Sequence, residues 1–401
     1  MRINIKASSI FINLFIVIVL FFPVKFFDLY HIAIIIPLLL LGFSSKPKKS
    51  FPLYLILTII IYWIFTSWIR SLITGDLSKN LSEIFRFIPL ALLILYKDEF
   101  EHIKSPAIKI IIFYLWVNFI ICVLQYLYKD SSLITNFFSL VYNSNIHVQE
   151  SLALNSRALG LSMGPNSNGA ICLLLTIFVV FKFNVKNKIT LIIKTITILA
   201  GLISLLLSQS QTAFLALLVI VFYFIFLFFI KKTFITAFFL SVIIIFCATI
   251  SVSFNLLNKL EDKENGLYYL STLFEQGTER SSYKSRIEKR DYMIDTAFKT
   301  PSFFIIGWGK DYFGAEITAT DNEHLYIALV YGPIIWLALI IVAFLAGFKY
   351  TILFLKTSNK NYLFKSSIIL SWVIIAIPAA FITYPQALIL SALFLNYNDE
   401  Q

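Results

Sequence analysis

Long apolar runs recur along most of this sequence and constrain its fold more than any other feature. A membrane-spanning helix needs ~20 consecutive, mostly apolar residues, and about a dozen windows of the chain qualify. The runs are continuous instead of alternating, so they do not fit the strands of a membrane β-barrel. With 59% hydrophobic and 14% charged residues, the chain is also far more apolar than a soluble globular domain. The sequence therefore predicts an all-α polytopic membrane protein.

About twelve transmembrane helices are predicted, or eleven if the short last one does not span. The predicted spans are residues 8–27, 30–44, 51–70, 80–96, 107–128, 166–182, 188–207, 209–230, 233–254, 322–348, 365–383 and 385–396. Bulky residues ("FFPVKFFDLYH") follow the first run, so we expect a retained helix instead of a cleaved signal peptide. The three cysteines lie inside apolar windows, where thiols behave as small hydrophobic groups, so no disulfide or cysteine-based metal site is expected.

The distribution of lysines predicts the orientation in the membrane. If the N-terminus lies inside, the inner loops carry lysines, whereas the short outer connections carry few. Short cytoplasmic loops are enriched in Lys and Arg. Both termini are therefore predicted to be cytoplasmic. The net charge of +11 is then explained by the lysines of the inner loops, and nucleic acid is not an expected partner.

This topology divides the chain into three regions. Residues 1–254 hold helices one to nine with a smaller outer loop at 129–165, residues 255–321 form a large outer loop, and residues 322–401 hold helices ten to twelve. Within the large loop, 286–298 is predicted to form a short amphipathic helix that Pro301 ends. Its apolar face would carry Ile287, Ile294 and Phe298.

Polar groups cluster near the predicted outer ends of the helices. Glu83 and Arg86 lie three residues apart, either as a mutually satisfied structural pair or with Arg86 facing an anionic lipid headgroup. The turn "LSQSQT", which includes Gln211, either caps the two helix ends or lines a polar pocket with neutral donors.

The segment "NSRALGLSMGPNSNGA" places Arg157 before a predicted helix start at Pro165 and Asn166. Helix N-termini favour anions, and the planar fork of arginine suits phosphate oxygens. The alternative is an ordinary entry from a loop into a helix. In the large loop, Arg286 and Arg290 would share a helical face, either as phosphate ligands or as a solvated face paired with nearby acids. Arg280 is counted with them as a candidate.

The stretch "TDNEHLY" places two acids and a histidine at the start of the tenth predicted span. On a helix, Asp321 and His324 share a face, and Glu323 points largely away from it. Asp321 either caps the helix or accepts a proton from a sugar hydroxyl, with His324 orienting that hydroxyl or bearing the proton. His324 is otherwise an interfacial histidine.

These clusters all lie on the predicted outer side, whereas the helix middles are almost purely apolar. A transporter would show polar or broken helices near the bilayer midplane. No DxD-like pair, HExxH or P-loop is present, so no metal and no cofactor are expected. An arginine-rich outer site with a carboxylate suits a lipid-linked diphosphate sugar, whose leaving diphosphate the cations would stabilise.

Four segments in order resemble the O-antigen polymerase and O-antigen ligase superfamily, which are bacterial inner-membrane glycosyltransferases of the GT-C type. They are "SRALGLSMGPNSNGA", "LSQSQTAFLAL", "SRIEKRDYMIDTAFKTPSFFIIGWGKDYF" and "DNEHLYIALVYG", in which Asn322 is followed ten positions later by Gly332. Two positions depart from the pattern. Gln211 stands where the turn often has Arg, and Asp321 stands where the ligase pattern has His, which favours a polymerase.

The resemblance implies a reaction on the periplasmic face. A growing polysaccharide on undecaprenyl diphosphate would pass to the non-reducing end of a new lipid-linked repeat unit. Asp321, His324 and Asn322 are the catalytic candidates, and the arginines with Asn166 and Gln211 would bind the substrate. Expected partners are membrane lipid, a flippase and a chain-length regulator. The alternatives are an O-antigen ligase and, in a different class, an exporter of lipid-linked oligosaccharide.

Overall fold

A computed structural model describes residues 2–43, 45–74, 83–100, 105–230, 281–299, 303–309, 322–377 and 384–397. Within these ranges every regular element is a helix, which confirms the predicted all-α class. Six of the described helices are long and apolar enough to cross a membrane: Phe51–Leu72, Pro106–Leu127, Pro165–Lys182, Lys188–Ser208, Gln211–Ile230 and Pro333–Thr357. Shorter apolar helices pack with them, so the protein is a polytopic membrane protein.

The helices run in the following order. They are α1 (Arg2–Phe21), α2 (Phe27–Gly42), α3 (Phe51–Thr74), α4 (Ile84–Leu95), α5 (Lys97–Phe100), α6 (Ser105–Leu127), α7 (Ser132–Val141), α8 (Asn145–Gln149), α9 (Pro165–Lys182), α10 (Lys188–Ser208), α11 (Gln211–Ile230), α12 (Ser281–Lys299), α13 (Glu323–Tyr326), α14 (Pro333–Thr357), α15 (Lys360–Ala376) and α16 (Pro385–Asn396). Two π-helical turns, Glu150–Leu154 and Ile327–Tyr331, follow α8 and α13.

Several predicted bounds need correction. The tenth span was predicted at 322–348, but the long helix α14 begins at Pro333, because Gly332 has φ +102° and breaks the helical path. The predicted span 365–383 corresponds to α15, which begins at Lys360, where the Asn359 side chain accepts a hydrogen bond from Asn361 N. The predicted span 233–254 lies outside the described residues.

The amphipathic helix of the large loop is present but longer than predicted, as α12. Its buried face was predicted around Ile287, Ile294 and Phe298, and the assignment of Phe298 is wrong. Met293 and Ala297 are buried, whereas Phe298 is 68% exposed. The buried face of α12 therefore differs from the predicted one. It faces Trp308 and Leu329, and its buried residues form a small core with them.

Helix α9 is the central helix of the bundle. Within its membrane window 83% of the residues are buried, and it packs against α6, α10, α11, α15 and α16. Phe178 on α9 stacks on Phe394 of α16 with the ring centroids 4.5 Å apart and meets Phe364 of α15 at 6.0 Å. Burial of aromatic side chains of this size is a main source of packing energy.

The two ends of the bundle are distinguished by their polar contacts. At one end, called here the lysine end, Lys48 pairs with Asp98 at 2.8 Å, and buried Lys182 donates to Asn361 Oδ1 at 2.7 Å. The Lys182 ammonium also lies 4.5 Å from the Tyr397 ring centroid. At the opposite end, called the site end, Lys25 donates to the Leu140 carbonyl at 3.1 Å. The contacts at the lysine end join residues in or next to loops predicted to be inner, whereas Lys25 lies at the outer end of the first predicted span and Leu140 in a loop predicted to be outer.

Candidate active site

The segment that carries Arg157 and the turn that follows α10 form one structure at the site end. Arg157 donates from Nη2 to Asn166 Oδ1 at 2.7 Å and from Nε to the Ser208 carbonyl at 3.3 Å. The Gln209 side chain, at a residue with φ +48°, donates to the Ser156 carbonyl at 2.9 Å. Two motifs that are about 50 residues apart in sequence are therefore held together by their own polar groups.

Buried amides fix the backbone beneath Arg157. Asn118 on α6 accepts from Leu161 N at 2.8 Å, and its amide donates to Asn168 Oδ1 at 3.0 Å. Gln125 Oε1 accepts from Gly160 N at 2.8 Å, where φ is +56°. Buried polar groups must be paired, so these bonds hold the loop in one conformation. Arg157 itself is half-buried at the rim of this arrangement.

Helix α9 and the turn after α10 approach each other closely in this region. A Cβ atom on Gly169 would lie 2.6 Å from Ser210 Cβ, which is closer than side chains approach. Gln211 is buried at the start of α11. Its amide stands where the motif that this turn resembles often has a cation, and a pocket lined with neutral donors stays a prediction.

The closing motif at 322–332 forms a hook before α14. Asn322 caps α13, because its Oδ1 accepts from Leu325 N at 3.0 Å. Glu323 is fully buried, and the π-helical turn that follows ends at Gly332. The N-cap of α13 is thus Asn322 and not Asp321, which was one of the two alternatives for that residue; Asp321 itself lies outside the described residues.

The hook packs on the Gly-Trp-Gly element of the large loop, backbone against backbone. Trp308 N donates to the Leu329 carbonyl at 2.8 Å, and Gly309 N donates to the Val330 carbonyl at 3.1 Å. A Cβ on Gly307 would lie 2.6 Å from Gly332 N. Both glycines have positive φ, so this close approach requires them.

Arg86 lies in a buried cluster under the hook. Its Nε is 2.8 Å from Glu83 Oε2, and the Tyr331 hydroxyl donates to the same carboxylate oxygen at 2.5 Å. The Glu323 carboxylate is also close enough to stabilise the guanidinium charge. The structural alternative for Glu83 and Arg86, a mutually satisfied pair, fits this arrangement. The pair fastens α4 to the hook.

His324 is held between two tryptophans. The Trp336 indole donates to His324 Nδ1 at 3.4 Å, and the Trp372 ring lies edge-on with its centroid 6.0 Å away. An indole N–H can only donate, so Nδ1 is the acceptor and the proton sits on Nε2, 3.5 Å from the Val373 carbonyl. Burial lowers the pKa of His324 below its usual value, and the bond to Val373 opposes this only in part. His324 is therefore neutral near pH 7, with both ring nitrogens engaged.

The arginines of the large loop stand differently in the structure. Arg290 is exposed on α12 and pairs with its neighbour Asp291 at 2.7 Å, as the solvated-face alternative expects. Arg286 lies one turn earlier on the same helix, and its side chain is outside the described part. Arg280 also lies outside the described residues. Their roles as phosphate ligands stay predictions.

Sequence reasoning overlooked one residue that the structure makes prominent, Arg70. It is 1% exposed and lies within the predicted third span. Its Nη1 donates to the Ile306 carbonyl at 2.7 Å and to the Gly307 carbonyl at 3.1 Å. A lone arginine inside an apolar run is costly and is itself a signal of function, and this signal was present in "WIFTSWIRSLIT".

The fold and this site define a polytopic helical membrane protein whose arginine-bearing polar groups gather at one end of the bundle. The model of the family described as O-antigen ligase matches residues 196–334, about a third of the chain. A comparison with curated proteins finds no match. The family match confirms the resemblance to the O-antigen polymerase and ligase superfamily over that segment.

The matched segment contains the turn at 208–211, the Gly-Trp-Gly element and the hook. The Arg157 motif lies upstream of the match, and its hydrogen bond to Ser208 ties it to the matched segment. The match supports glycosyl transfer of the O-antigen polymerase or ligase type, with a lipid-linked oligosaccharide as substrate in general terms. It does not separate the two activities.

Proposed function

We propose that this protein is a polymerase of lipid-linked O-antigen or related surface polysaccharide in a bacterial inner membrane. The growing chain passes from undecaprenyl diphosphate to the non-reducing end of a new lipid-linked repeat unit on the periplasmic side. The single observation that carries the choice of polymerase is Asp321, which stands before Asn322 where the ligase pattern has a histidine. No cofactor and no metal take part in this proposal.

In the proposed reaction, the acceptor hydroxyl oxygen attacks the anomeric carbon of the first sugar of the growing chain. The bond from that carbon to the diphosphate oxygen breaks, and the carrier lipid diphosphate leaves with the electron pair. The Asp321 carboxylate takes the hydroxyl proton. His324 is less suited to this role, because its Nδ1 lone pair already accepts from Trp336.

Cationic groups stabilise the departing diphosphate. Arg157 is half-buried at the rim of the site, and its fork is already oriented by Asn166 and the Ser208 carbonyl, which lowers the entropy cost of binding a phosphate. Arg286 and Arg290 on α12 would approach from the large loop. Arg86 is enclosed by Glu83 and the hook, so we assign it to positioning the hook instead of to binding phosphate.

A deletion separates the three candidate functions. Loss of a polymerase leaves single repeat units on lipid A–core, loss of a ligase leaves finished polymer on the carrier lipid, and loss of an exporter leaves no repeats outside the inner membrane. The ligase is the second candidate because the matching family model is described as O-antigen ligase. Complementation with Asp321→Asn, compared with Asp321→Glu at equal membrane levels, then tests the base. Full chain lengths with Asp321→Asn would exclude that role.

A further inference from the structure

The turn Phe303–Gly309, called here the aromatic turn, contacts the membrane span α3 by hydrogen bonds. Tyr62 donates from its hydroxyl to the Ile305 carbonyl at 3.0 Å. Arg70 contacts the next two carbonyls, and its guanidinium also lies 3.0 Å from Ser67 Oγ. The guanidinium carbon is 4.5 Å from the Trp63 ring centroid. The arginine side chain therefore points back along α3, toward the lysine end.

These contacts give the depth of the turn. The ion pair of Lys48 with Asp98 marks the lysine-end boundary just before Phe51, where α3 begins. At 1.5 Å per residue, Tyr62 lies about 17 Å and Ser67 about 24 Å beyond Phe51 along the helix. The hydrocarbon core of a bilayer is about 30 Å thick. The backbone at Ile305 to Gly307 is thus at hydrocarbon depth in the half nearer the site end.

Several backbone groups of the aromatic turn have hydrogen-bond partners within the protein, as such a depth requires. Irregular backbone occurs within the hydrocarbon region only where the protein itself supplies its hydrogen bonds. The three carbonyls from Ile305 to Gly307 accept from Tyr62 and Arg70. The N–H groups from Gly307 to Gly309 donate to carbonyls of Phe303 and of the hook.

The outward side of the turn is apolar. Phe304 is 50% and Ile305 62% exposed. A cavity of about 520 Å³ between α12 and the turn is lined by apolar residues, which include Phe298, Phe304 and Trp308. An exposed apolar patch of this kind marks an interaction surface, and the hydrocarbon depth of the turn identifies acyl chains as the partner.

We infer that the aromatic turn is a re-entrant membrane segment, with Phe304 and Ile305 inserted among the acyl chains of the leaflet at the site end. The Gly-Trp-Gly element is then part of the membrane domain, although the sequence places it in a long aqueous loop. The hook that rests on this element is consequently held below the membrane surface. This inference concerns the membrane contact of the turn and does not depend on which glycosyl transfer the protein performs.

Spin labelling of the full-length protein in lipid nanodiscs tests the inference. The three native cysteines are replaced by alanine, and single nitroxide labels are attached at Phe304→Cys or Ile305→Cys. Collision rates are measured with molecular oxygen, which partitions into hydrocarbon, and with a water-soluble nickel chelate. Trp68→Cys on α3 is the hydrocarbon reference, and Glu288→Cys on α12 is the aqueous reference, since both native side chains are exposed.

The expected result is an oxygen-to-nickel collision ratio at both turn positions that is closer to the Trp68→Cys reference. A ratio closer to the Glu288→Cys reference at both positions would overturn the inference, because the turn would then lie in water. Two neighbouring positions are used so that local damage at one does not decide the result. If they disagree, Ile305 decides, because it is the more exposed and its replacement disturbs less packing.

Discussion

Alanine at Gly307 is expected to separate the hook from the aromatic turn. The added Cβ would lie 2.5 Å from the Val330 carbonyl oxygen and 2.7 Å from Tyr331 C, which are backbone atoms that cannot rotate away. The residue also has φ +75°, which is strained for any side chain. Backbone strain and overpacking together cost about 2–6 kcal/mol. Even the lower value reduces the equilibrium constant for native pairing about thirtyfold.

The assay is the polysaccharide ladder made by cells that carry only the variant, at membrane levels matched by immunoblot. Gly307→Ala should collapse the ladder to single repeats and lower the melting temperature in detergent. The matched control is Gly347→Ala on α14, where the nearest atom to the new Cβ is Ile369 Cγ2 at an ordinary 3.5 Å. If the Gly307→Ala variant has the same melting temperature and polysaccharide ladder as this control, the hook and the turn do not need close backbone contact. That result would contradict the prediction.

Three further outcomes are expected. Tyr331→Phe removes the hydroxyl bonded to Glu83 and should destabilise the protein by about 1–3 kcal/mol, which chemical unfolding in detergent would reveal. Arg157→Lys keeps the charge but loses the fork that reaches Asn166, so polymer yield should fall about tenfold, the equivalent of one charge-assisted hydrogen bond, and an unchanged yield would contradict the role. The lowered pKa of His324 means that the folded state resists protonation, so wild-type stability should fall as the pH drops below about 6.5. The His324→Gln variant should show a flatter melting profile over that range, and equal profiles would show that His324 does not contribute.

The membrane class and most helix positions followed from the sequence, because a helix that crosses a bilayer requires a long apolar run. Spans such as α9 and α10 begin and end within two residues of their predicted bounds, since charged or turn-forming residues flank the apolar runs. The rule failed where backbone geometry intervenes. Nothing in the hydropathy of "DNEHLYIALVYGPIIW" indicates that a left-handed Gly332 separates a short helix from a long one.

The candidate site was predictable as a set of motifs but not as an arrangement. Arg157 and Asn166 were both candidates, because Pro165 and the asparagines indicate a helix start, but the hydrogen bond between them was not predicted. The bond from Arg157 to Ser208 was not foreseen, since it spans 51 residues and depends on how α10 packs on α9. Arg70 was not predicted as a site residue, because its partners are backbone carbonyls of a distant turn that the sequence does not reveal.

Buried Lys182 also has an electrical consequence. Its ammonium lies at the lysine end between Asn361 and the rings of Phe364 and Tyr397, on the buried central helix. In the proposed orientation this charge sits on the negative side of an energised membrane. Moving one elementary charge across the bilayer costs about 2.3 kcal/mol for every 100 mV. In that orientation the membrane voltage opposes displacement of this charge toward the outer side, in proportion to the fraction of the potential that it would cross.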